Sequence, residues 1–245
     1  MTMDSKYLLL WLEGPLQAWG VDSKFGRRES LRFPTKSGIY GMFLSSLGAQ
    51  GPQVDLLEKL AAFKQVVISC TPRIAEQKDG KDTYGPMQSN PFLMDFQMVG
   101  SGYDEKNPWQ KLLIPKKSDG SAAVGGGSKM TYRYYLQDAR FAVIQELDSA
   151  LAASIAKSMQ APVFDIYLGR KNCVPTDFIY RGTYDSFDEA SAMAEILMED
   201  KKLAASFTVS DEVGDGDRVV LNDVPVQFGQ FKKYRDRTVT IIENG

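Results

Sequence analysis

The chain has 245 residues, of which 43% are apolar and 24% charged, and its formal net charge is −2. This composition is that of a globular protein with a full core, and no apolar run reaches the roughly 18 residues that a membrane span needs. The absence of histidine excludes Ser-His and Cys-His nucleophile pairs and nearly every zinc site, which favours a binding module without a catalytic or metal site.

The charge is unevenly distributed along the chain. Residues 106–140 carry seven Lys or Arg against two acids, a balance of +5, and residues 227–237 carry four against one, a balance of +3. Residues 185–217 carry ten acids against two lysines, a balance of −8. This separation predicts a basic face for phosphate and an acidic face that points elsewhere or towards a basic partner. A solvated surface is the alternative for the acidic segment.

The chain contains two cysteines, Cys70 and Cys173. Disulfides are rare in cytosolic proteins and common in secreted ones. We therefore expect two reduced, buried thiols in a cytoplasmic protein.

The first predicted element is a strand at residues 7–13, a nearly continuous apolar run of the kind that is buried on both faces of a sheet. A glycine-rich turn follows at residues 14–20 and carries Gln17 and Trp19. Trp19 either packs beneath the turn or stacks on a base. Gln17 is predicted to hydrogen-bond to the backbone or to a nucleotide.

A basic loop follows this turn. Its four cations lie within nine residues and are interleaved with two phenylalanines: Lys24, Arg27, Arg28 and Arg32, with Phe25 and Phe33. Cations mixed with aromatic rings supply phosphate contacts and base stacking together. The alternative is a solvated loop with aromatic anchors.

A helix is predicted to begin after Thr35, a good N-cap, and to end at Gly48. Helix N-termini attract anions, so the turn, the loop and the helix start together predict a seat for a nucleic-acid phosphate backbone. Lys36-Ser37 resembles the end of a P-loop, but the glycines of that motif are missing. This excludes binding of a nucleoside triphosphate.

The middle of the chain begins with a predicted short helix at residues 54–63 and a strand at 65–75, followed by a hairpin turn at Asp79-Gly80. Residues 84–130 lose periodicity and gather Gly, Pro, Ser and Lys. Such long insertions are usually functional or disordered. The positive charge favours an arm that orders on a polyanion and covers the phosphate seat, whereas a linker between domains is the alternative.

The remaining elements alternate between strands and helices. They are a long strand at 132–147, a helix at 149–159, a second glycine turn at 167–173, a strand at 178–184, an amphipathic helix at 187–198, and strands at 205–209, 218–221 and 238–242. The second glycine turn carries the adjacent cations Arg170 and Lys171. It is expected to form the wall opposite the first turn.

This order predicts an α+β fold. The first 185 residues run strand, helix, strand, insertion, strand, helix, strand, which is the order of a ferredoxin-like (RRM-type) βαββαβ palm. The inserted arm, or thumb, spans about residues 77–131. Residues 186–245 are predicted to add a helix and a β-rich extension that packs on the palm.

Five motifs in this order resemble the Cas-five group of RAMP proteins, which supplies a subunit of the type I-E CRISPR Cascade. They are the turn at residues 14–20, the arginine-rich loop, residues 34–38, residues 167–171 and the Gln227-Phe228 tail. The resemblance implies a non-catalytic subunit that caps the 5′ handle of the CRISPR RNA in antiviral defence. It implies contacts of the thumb with a Cas-seven type backbone subunit, docking of the large Cascade subunit, an indirect relation to target DNA, and no cofactor, metal or membrane.

The first glycine turn, the basic loop and the helix start match the handle-facing elements of that family, and further RNA contacts are predicted on the second glycine turn and on the arm. Arg27, Arg28, Lys36, Arg170 and Lys171 are expected to contact phosphates, Trp19, Tyr40 or Phe25 to stack on bases, and Gln17 to contact a base edge. The other candidates are Lys24, Ser37, Lys111, Lys116, Lys117 and Lys129.

Two alternative functions follow from the same residues. Some relatives outside type I-E cleave precursor RNA with tyrosine, lysine and histidine, an arrangement that a chain without histidine cannot carry as it stands. A metal-independent endoribonuclease that uses Tyr40 with Lys36 is the first alternative. The second is a scaffold that binds a basic protein through residues 185–217 and holds no RNA.

Overall fold

The computed structural model describes residues 4–20, 26–78, 81–86, 92–99, 106–112, 114, 116–122 and 129–244. The first elements are β1 (Ser5–Glu13), β2 (Leu16–Gln17), β3 (Arg27–Arg28), α1 (Lys36–Leu47), α2 (Val54–Ala61), β4 (Gln65–Lys78), β5 (Lys81–Pro86), β6 (Leu93–Val99) and α3 (Pro108–Lys111). They are followed by β7 (Lys129–Gln137), β8 (Arg140–Asp148), α4 (Ser149–Gln160), β9 (Tyr180–Tyr184), α5 (Phe187–Asp200), β10 (Leu203–Ser210), β11 (Asp217–Gln227) and β12 (Lys233–Glu243).

The main element is a large antiparallel sheet. Its strands lie in the order β11-β12-β10-β4-β8-β1-β9, and β5 pairs with the outer part of β4. Strand β1 lies between β8 and β9, and Leu8 to Leu12 are fully buried because helices cover both faces of the sheet. Helices α1, α2 and α4 pack on one face and α5 on the other. The predicted two-sided burial of the first strand is confirmed.

The helix boundaries follow local capping signals. The Oγ1 atom of Thr35 accepts a hydrogen bond from Gly38 N, and Gly48 ends α1 with a φ of 70°. Asp148 and Ser186 cap α4 and α5 in the same way, each accepting from a backbone N–H three residues on. A side chain that accepts such a bond stabilises a helix by ~1 kcal/mol, which is why these helices begin where their sequences predict.

The prediction of a single long strand at residues 132–147 is wrong. The segment forms two strands, β7 and β8, which lie in different sheets. Asp138 between them has a left-handed φ of 48°, and its N–H donates to Pro15 O, which turns the chain away from the first strand direction. Strand β7 instead lies at the centre of a small sheet, in which it pairs with β2, β3 and β6.

The insertion is more regular than the sequence predicted. Within residues 84–130 the structure places the end of β5, all of β6 and α3, and the start of β7. The predicted turn residues Asp79-Gly80 lie outside the described residues, and Lys78 and Lys81 on either side of them pair across the hairpin. In the described part of the chain, no helix is both long and apolar enough to cross a membrane.

The two glycine turns contact each other through their backbones. Ala18 N donates to Leu168 O at 3.1 Å. Gly169 has a φ of 93°, and a Cβ atom there would lie 1.8 Å from Ala18 O. Only a residue without a side chain permits this approach.

We predict that Gly169→Ala lowers the free energy of unfolding by at least ~2 kcal/mol, because an L-residue is strained at this φ and its methyl group clashes with the first turn. Gly41→Ala is the matched control. An added Cβ at Gly41 in α1 meets nothing within 4 Å, so alanine should raise stability by ~1 kcal/mol. Chemical denaturation measures both, and equal effects of the two substitutions would contradict this account of the contact.

Candidate nucleic-acid interface

A groove of about 1130 Å³ opens where the two glycine turns meet the start of α1 and the end of the β11–β12 hairpin. It exceeds the roughly 300–1,000 Å³ of typical small-molecule pockets. The groove is lined by Ala18, Trp19, Gly20, Arg28, Thr35, Ser37, Gly38, Gly41, Met42, Ser45, Asp165, Tyr167, Gly169, Arg170, Lys171, Asn222, Phe228, Lys232 and Tyr234. Four segments that are distant in sequence thus share one surface.

Glycine residues bring these segments together. A Cβ on Gly38 would lie 2.8 Å from the Trp19 ring, so α1 packs directly on the first turn. A Cβ on Gly14 would lie 2.8 Å from Val174 O, which brings the second turn against the base of the first. The glycines therefore shape the groove by close packing of protein against protein.

The lining of the groove is positively charged. Its described residues include the cations Arg28, Arg170, Lys171 and Lys232, against the single acid Asp165. Arg28, Lys171 and Lys232 are exposed. Exposed cations around a concave surface attract polyanions and bind them in a salt-dependent way.

Arg170 joins the basic strand β3 to the second glycine turn. Its guanidinium donates to Arg28 O at 2.9 Å and to Tyr134 O at 3.2 Å, and it lies 4.7 Å from the ring centroid of Tyr135. These contacts fix the side chain at the groove wall. Arg170 therefore positions the Arg28 backbone in addition to contributing charge.

Arg27 lies next to the groove but does not line it. Its guanidinium is 5.3 Å from the ring centroid of Tyr134 and 2.7 Å from the carboxylate of Glu29. Both ion-pair partners are more than half exposed, and such pairs contribute little to stability.

The predictions that Gln17 and Trp19 contact RNA are wrong for this structure. Gln17 is fully buried: its Nε2 atom donates to Leu12 O and Ala139 O, and its Oε1 atom accepts from Trp19 Nε1. Trp19 is 1% exposed. A buried amide must satisfy its hydrogen-bonding groups inside the protein, so both residues support the turn from below.

The prediction that Tyr40 contacts RNA is also wrong, because Tyr40 is buried and its hydroxyl donates to Leu60 O at 2.6 Å. Burial raises the pKa of Tyr40. Lys36, the other half of the predicted nuclease pair, is buried with its Nζ atom 2.8 Å from Asp211 and 2.7 Å from Phe63 O. Burial lowers the pKa of Lys36, while the nearby Asp211 carboxylate acts in the opposite direction.

Lys36 belongs to a buried charge cluster with Asp211, Asp223 and Arg237. Arg237 pairs with both aspartates, donating to the Asp223 carboxylate at 2.7 and 2.8 Å. Lys36 N also donates to the Asp223 carboxylate, at 2.8 Å. The prediction that a phosphate binds at the helix start is therefore corrected. A helix N-terminus favours anions, and here the carboxylate of Asp223 already occupies that position.

The other predicted site residues have varied positions. Ser37 is half-buried and lines the groove. Lys111, Lys116 and Lys117 are exposed, but no described residue of the arm lines the groove, so the arm is not seen as a cover over it. Lys24 lies outside the described residues. Lys129 lies in β7, and its side chain is not described.

The groove includes Phe228, which belongs to one of the five motifs, and three residues that no motif contains: Asn222, Lys232 and Tyr234. The basic balance of residues 227–237 signalled this region. The charge balance alone could not show that Lys232 is exposed, whereas Arg237 is paired with aspartates in the buried charge cluster. In the described part of the chain, no group of three or more His, Cys, Asp or Glu is placed to hold a metal ion.

The two cysteines are free and buried, as predicted. Burial raises the pKa of the Cys70 thiol to about 12, and it also raises the pKa of the Cys173 thiol. Neutral, buried thiols are poor nucleophiles, so neither cysteine supplies chemistry to the groove.

The family model described as CRISPR-associated protein (Cas_Cas5) matches residues 7–240. The chain therefore belongs to this family, and the resemblance that the sequence motifs indicated is confirmed. Among curated proteins, the CRISPR system Cascade subunit CasD of Escherichia coli (strain K12) is 28% identical over 190 residues, which are 76% of this chain and 75% of that protein.

Two solved structures share the fold of this chain. A chain of a CRISPR RNA-guided surveillance complex has a TM-score of 0.65 and 24% identity, covering 97% of this chain and 90% of that chain. A crystal structure of a Cas protein has a TM-score of 0.50 and 22% identity, covering 96% and 95%. At these identities the likeness establishes the mixed α and β fold.

We predict that Lys36→Met lowers the free energy of unfolding by ~3–5 kcal/mol, because it leaves the carboxylate of Asp211 without one of its buried partners. The exposed Lys171 provides the control, and Lys171→Met should change stability by no more than ~0.5 kcal/mol. Urea denaturation checks both. If the Lys36→Met protein is as stable as the unsubstituted chain but has lost RNA binding, the result would support the direct RNA contact that the sequence predicted for Lys36.

Proposed function

We propose that this chain is a non-catalytic, RNA-binding subunit of a CRISPR Cascade complex and that the groove holds the 5′ handle of the CRISPR RNA. The observation that carries this proposal is the concentration of four cations and one acid around the groove in a member of the Cas_Cas5 family. The similarity to the Cascade subunit CasD supports the same role.

The chemistry of the groove suits an unpaired RNA strand. Arg28 and Lys171 present exposed charges on two adjoining segments of the lining, where they can neutralise successive phosphates. Gly41 lines the groove, and an added Cβ there would meet nothing within 4 Å, so an RNA backbone can approach closely at this position. Phosphate contacts fix the position of the strand, while base identity is read by other groups.

The proposed architecture is a ferredoxin-like palm at residues 1–185, with a thumb at about 77–131 and a C-terminal unit at 186–245. The neighbour order β4-β8-β1-β9 within the sheet supports the palm, because it is the spatial order that a βαββαβ chain adopts in this fold. The thumb comprises the outer part of β4 with β5, β6, α3 and the start of β7. Helix α5 begins the C-terminal unit.

The proposed partners are a Cas-seven type backbone subunit at the thumb, the large Cascade subunit, and target DNA through the guide RNA. The exposed apolar side chains Met94, Phe96, Met98 and Met130 support the thumb contact. They share one face of the β6–β7 pair, and exposed apolar patches mark protein interfaces. The unpaired thiols suit the reducing cytoplasm, where we place the complex.

The two alternative functions have less support. The nuclease alternative assigned its chemistry to Tyr40 and Lys36, which the fold buries and pairs internally. The scaffold alternative depends on the acidic segment 185–217, in which Asp211 is buried in the charge cluster and Glu199 pairs with Arg73. Part of that negative charge is therefore neutralised within the chain.

We predict that the double substitution Arg28→Ala and Lys171→Ala weakens binding to a synthetic CRISPR RNA 5′ segment most strongly at low salt, where counterion release contributes most. Removing two phosphate contacts on a single strand should lower the slope of log affinity against log salt by ~1.4. Fluorescence anisotropy at several salt concentrations measures the slope for the full chain. Lys157→Ala, an exposed lysine on α4 outside the groove, is the control, and an equal slope for both variants would exclude the groove as the RNA site.

We expect the full chain to leave a labelled repeat RNA intact in the presence of EDTA. The reason is that the hydroxyl of Tyr40 and the amine of Lys36 are held inside the protein, away from the groove surface. Denaturing gel electrophoresis over time detects any product. Specific cleavage that Tyr40→Phe abolishes would replace the binding function with the nuclease.

A further inference from the structure

Of the three residues predicted to stack on bases, Trp19 and Tyr40 are buried and Phe25 lies outside the described residues. Holding an unpaired RNA strand normally involves aromatic rings that stack on its bases. Besides Trp19, the aromatic side chains that line the groove among the described residues are Tyr167, Phe228 and Tyr234. Two of these three come from the β11–β12 hairpin, which lies outside the segments that the sequence motifs assigned to RNA.

Tyr234 has the properties of a stacking residue. It is 37% exposed, and its ring lies edge-on to Phe228 with centroids 6.5 Å apart. Phe228 thus supports one edge of the ring while part of the ring remains open to the groove. The hydroxyl of a tyrosine is protonated at neutral pH, so that of Tyr234 can donate a hydrogen bond to the nucleotide.

The hairpin that carries Tyr234 is hydrogen-bonded to the remainder of the groove at two places. Phe228 N donates to Pro52 O at 3.0 Å in the segment that precedes α2. Asp223 of β11 accepts from Arg237 of β12 and from Lys36 N at the start of α1. A ring that is already fixed in position loses little entropy when a base stacks on it.

A cation accompanies this ring. Lys232 is exposed, lines the groove and lies two residues before Tyr234. Proteins that bind single strands combine a ring on which a base stacks with a cation that donates to the neighbouring phosphate. A protein partner would not require this combination in a groove whose lining also carries Arg28 and Lys171.

We propose that Tyr234 stacks on an unpaired base of the bound RNA while Lys232 contacts the adjoining phosphate. The C-terminal hairpin is then a wall of the RNA site and not only an extension packed on the palm. This inference rests on the proposed RNA-binding function and deepens it, because it names the nucleobase platform.

The first test is binding of the synthetic CRISPR RNA 5′ segment to the full chain carrying Tyr234→Leu, which keeps apolar volume but removes the ring. Affinity should fall about 5- to 150-fold, the equivalent of the ~1–3 kcal/mol that one base stack contributes. Tyr234→Phe retains the ring and should bind within about fivefold of the unsubstituted chain, because only a single hydrogen bond is lost. Phe178→Leu, at an 81% exposed ring outside the groove, is the control and should bind unchanged.

The outcomes separate this inference from the proposed function. If the unsubstituted chain binds no RNA, both fail. If Tyr234→Leu binds RNA as tightly as the unsubstituted chain while the Arg28 and Lys171 variant does not, the groove holds RNA and the stacking proposal is overturned. If Tyr234→Leu releases a partner subunit and keeps the RNA, the hairpin is a protein contact, which also overturns the proposal.

A second measurement keeps the proposal testable if Tyr234→Leu does not fold. In the unsubstituted chain assembled with its partner subunits, RNAs with 5-iodouridine at one position each are irradiated, and the cross-linked peptides are identified by mass spectrometry. The proposal expects a cross-link to Tyr234 from one RNA position. Cross-links to other groove residues, with none to the β11–β12 hairpin, would overturn it.

Discussion

The contact between the two glycine turns is the constraint on which the remainder of the site depends. With Gly169 against Ala18 O and Gly38 against the Trp19 ring, three segments meet at backbone distance. Arg170 then reaches the carbonyls of Arg28 and Tyr134 and fixes the basic strand β3 beside the second turn. The groove and its charges are consequences of this packing. Glycine serves here to bring protein segments together, and access for a ligand follows from that arrangement.

The buried charge cluster has a complementary role at the other side of the groove. Lys36 and Arg237 neutralise Asp211 and Asp223 inside the protein, and paired buried charges are costly to separate. The cluster ties the start of α1 to β11 and β12, so the C-terminal hairpin is anchored to the first third of the chain. This anchoring explains how residues from the two ends of the sequence form one surface. It also explains why a lysine in a basic segment is unavailable to RNA.

Much of the fold could be predicted from local signals. The apolar run of β1, the Thr35 cap, the Gly48 stop and the first residues of α4 and α5 all lie where the sequence indicated them. The errors occurred where tertiary contacts override local pattern. Residues 132–147 alternate well enough for one strand, but the contact of Asp138 N with Pro15 O divides them between two sheets. Within the insertion, β5 pairs with β4 and β6 pairs with β7, and no local pattern expresses these pairings.

The sequence by itself determined the class of this protein, its missing histidine chemistry and the segments that converge on the groove. Arg28, Ser37, Arg170 and Lys171 line that groove as expected from their motifs. Only the tertiary structure decided which polar side chains face solvent. Gln17, Trp19, Lys36 and Tyr40 have the residue types of an RNA site, yet each is buried and bonded internally. Residue type and spacing specify chemistry and proximity, whereas burial depends on the packing of all segments at once.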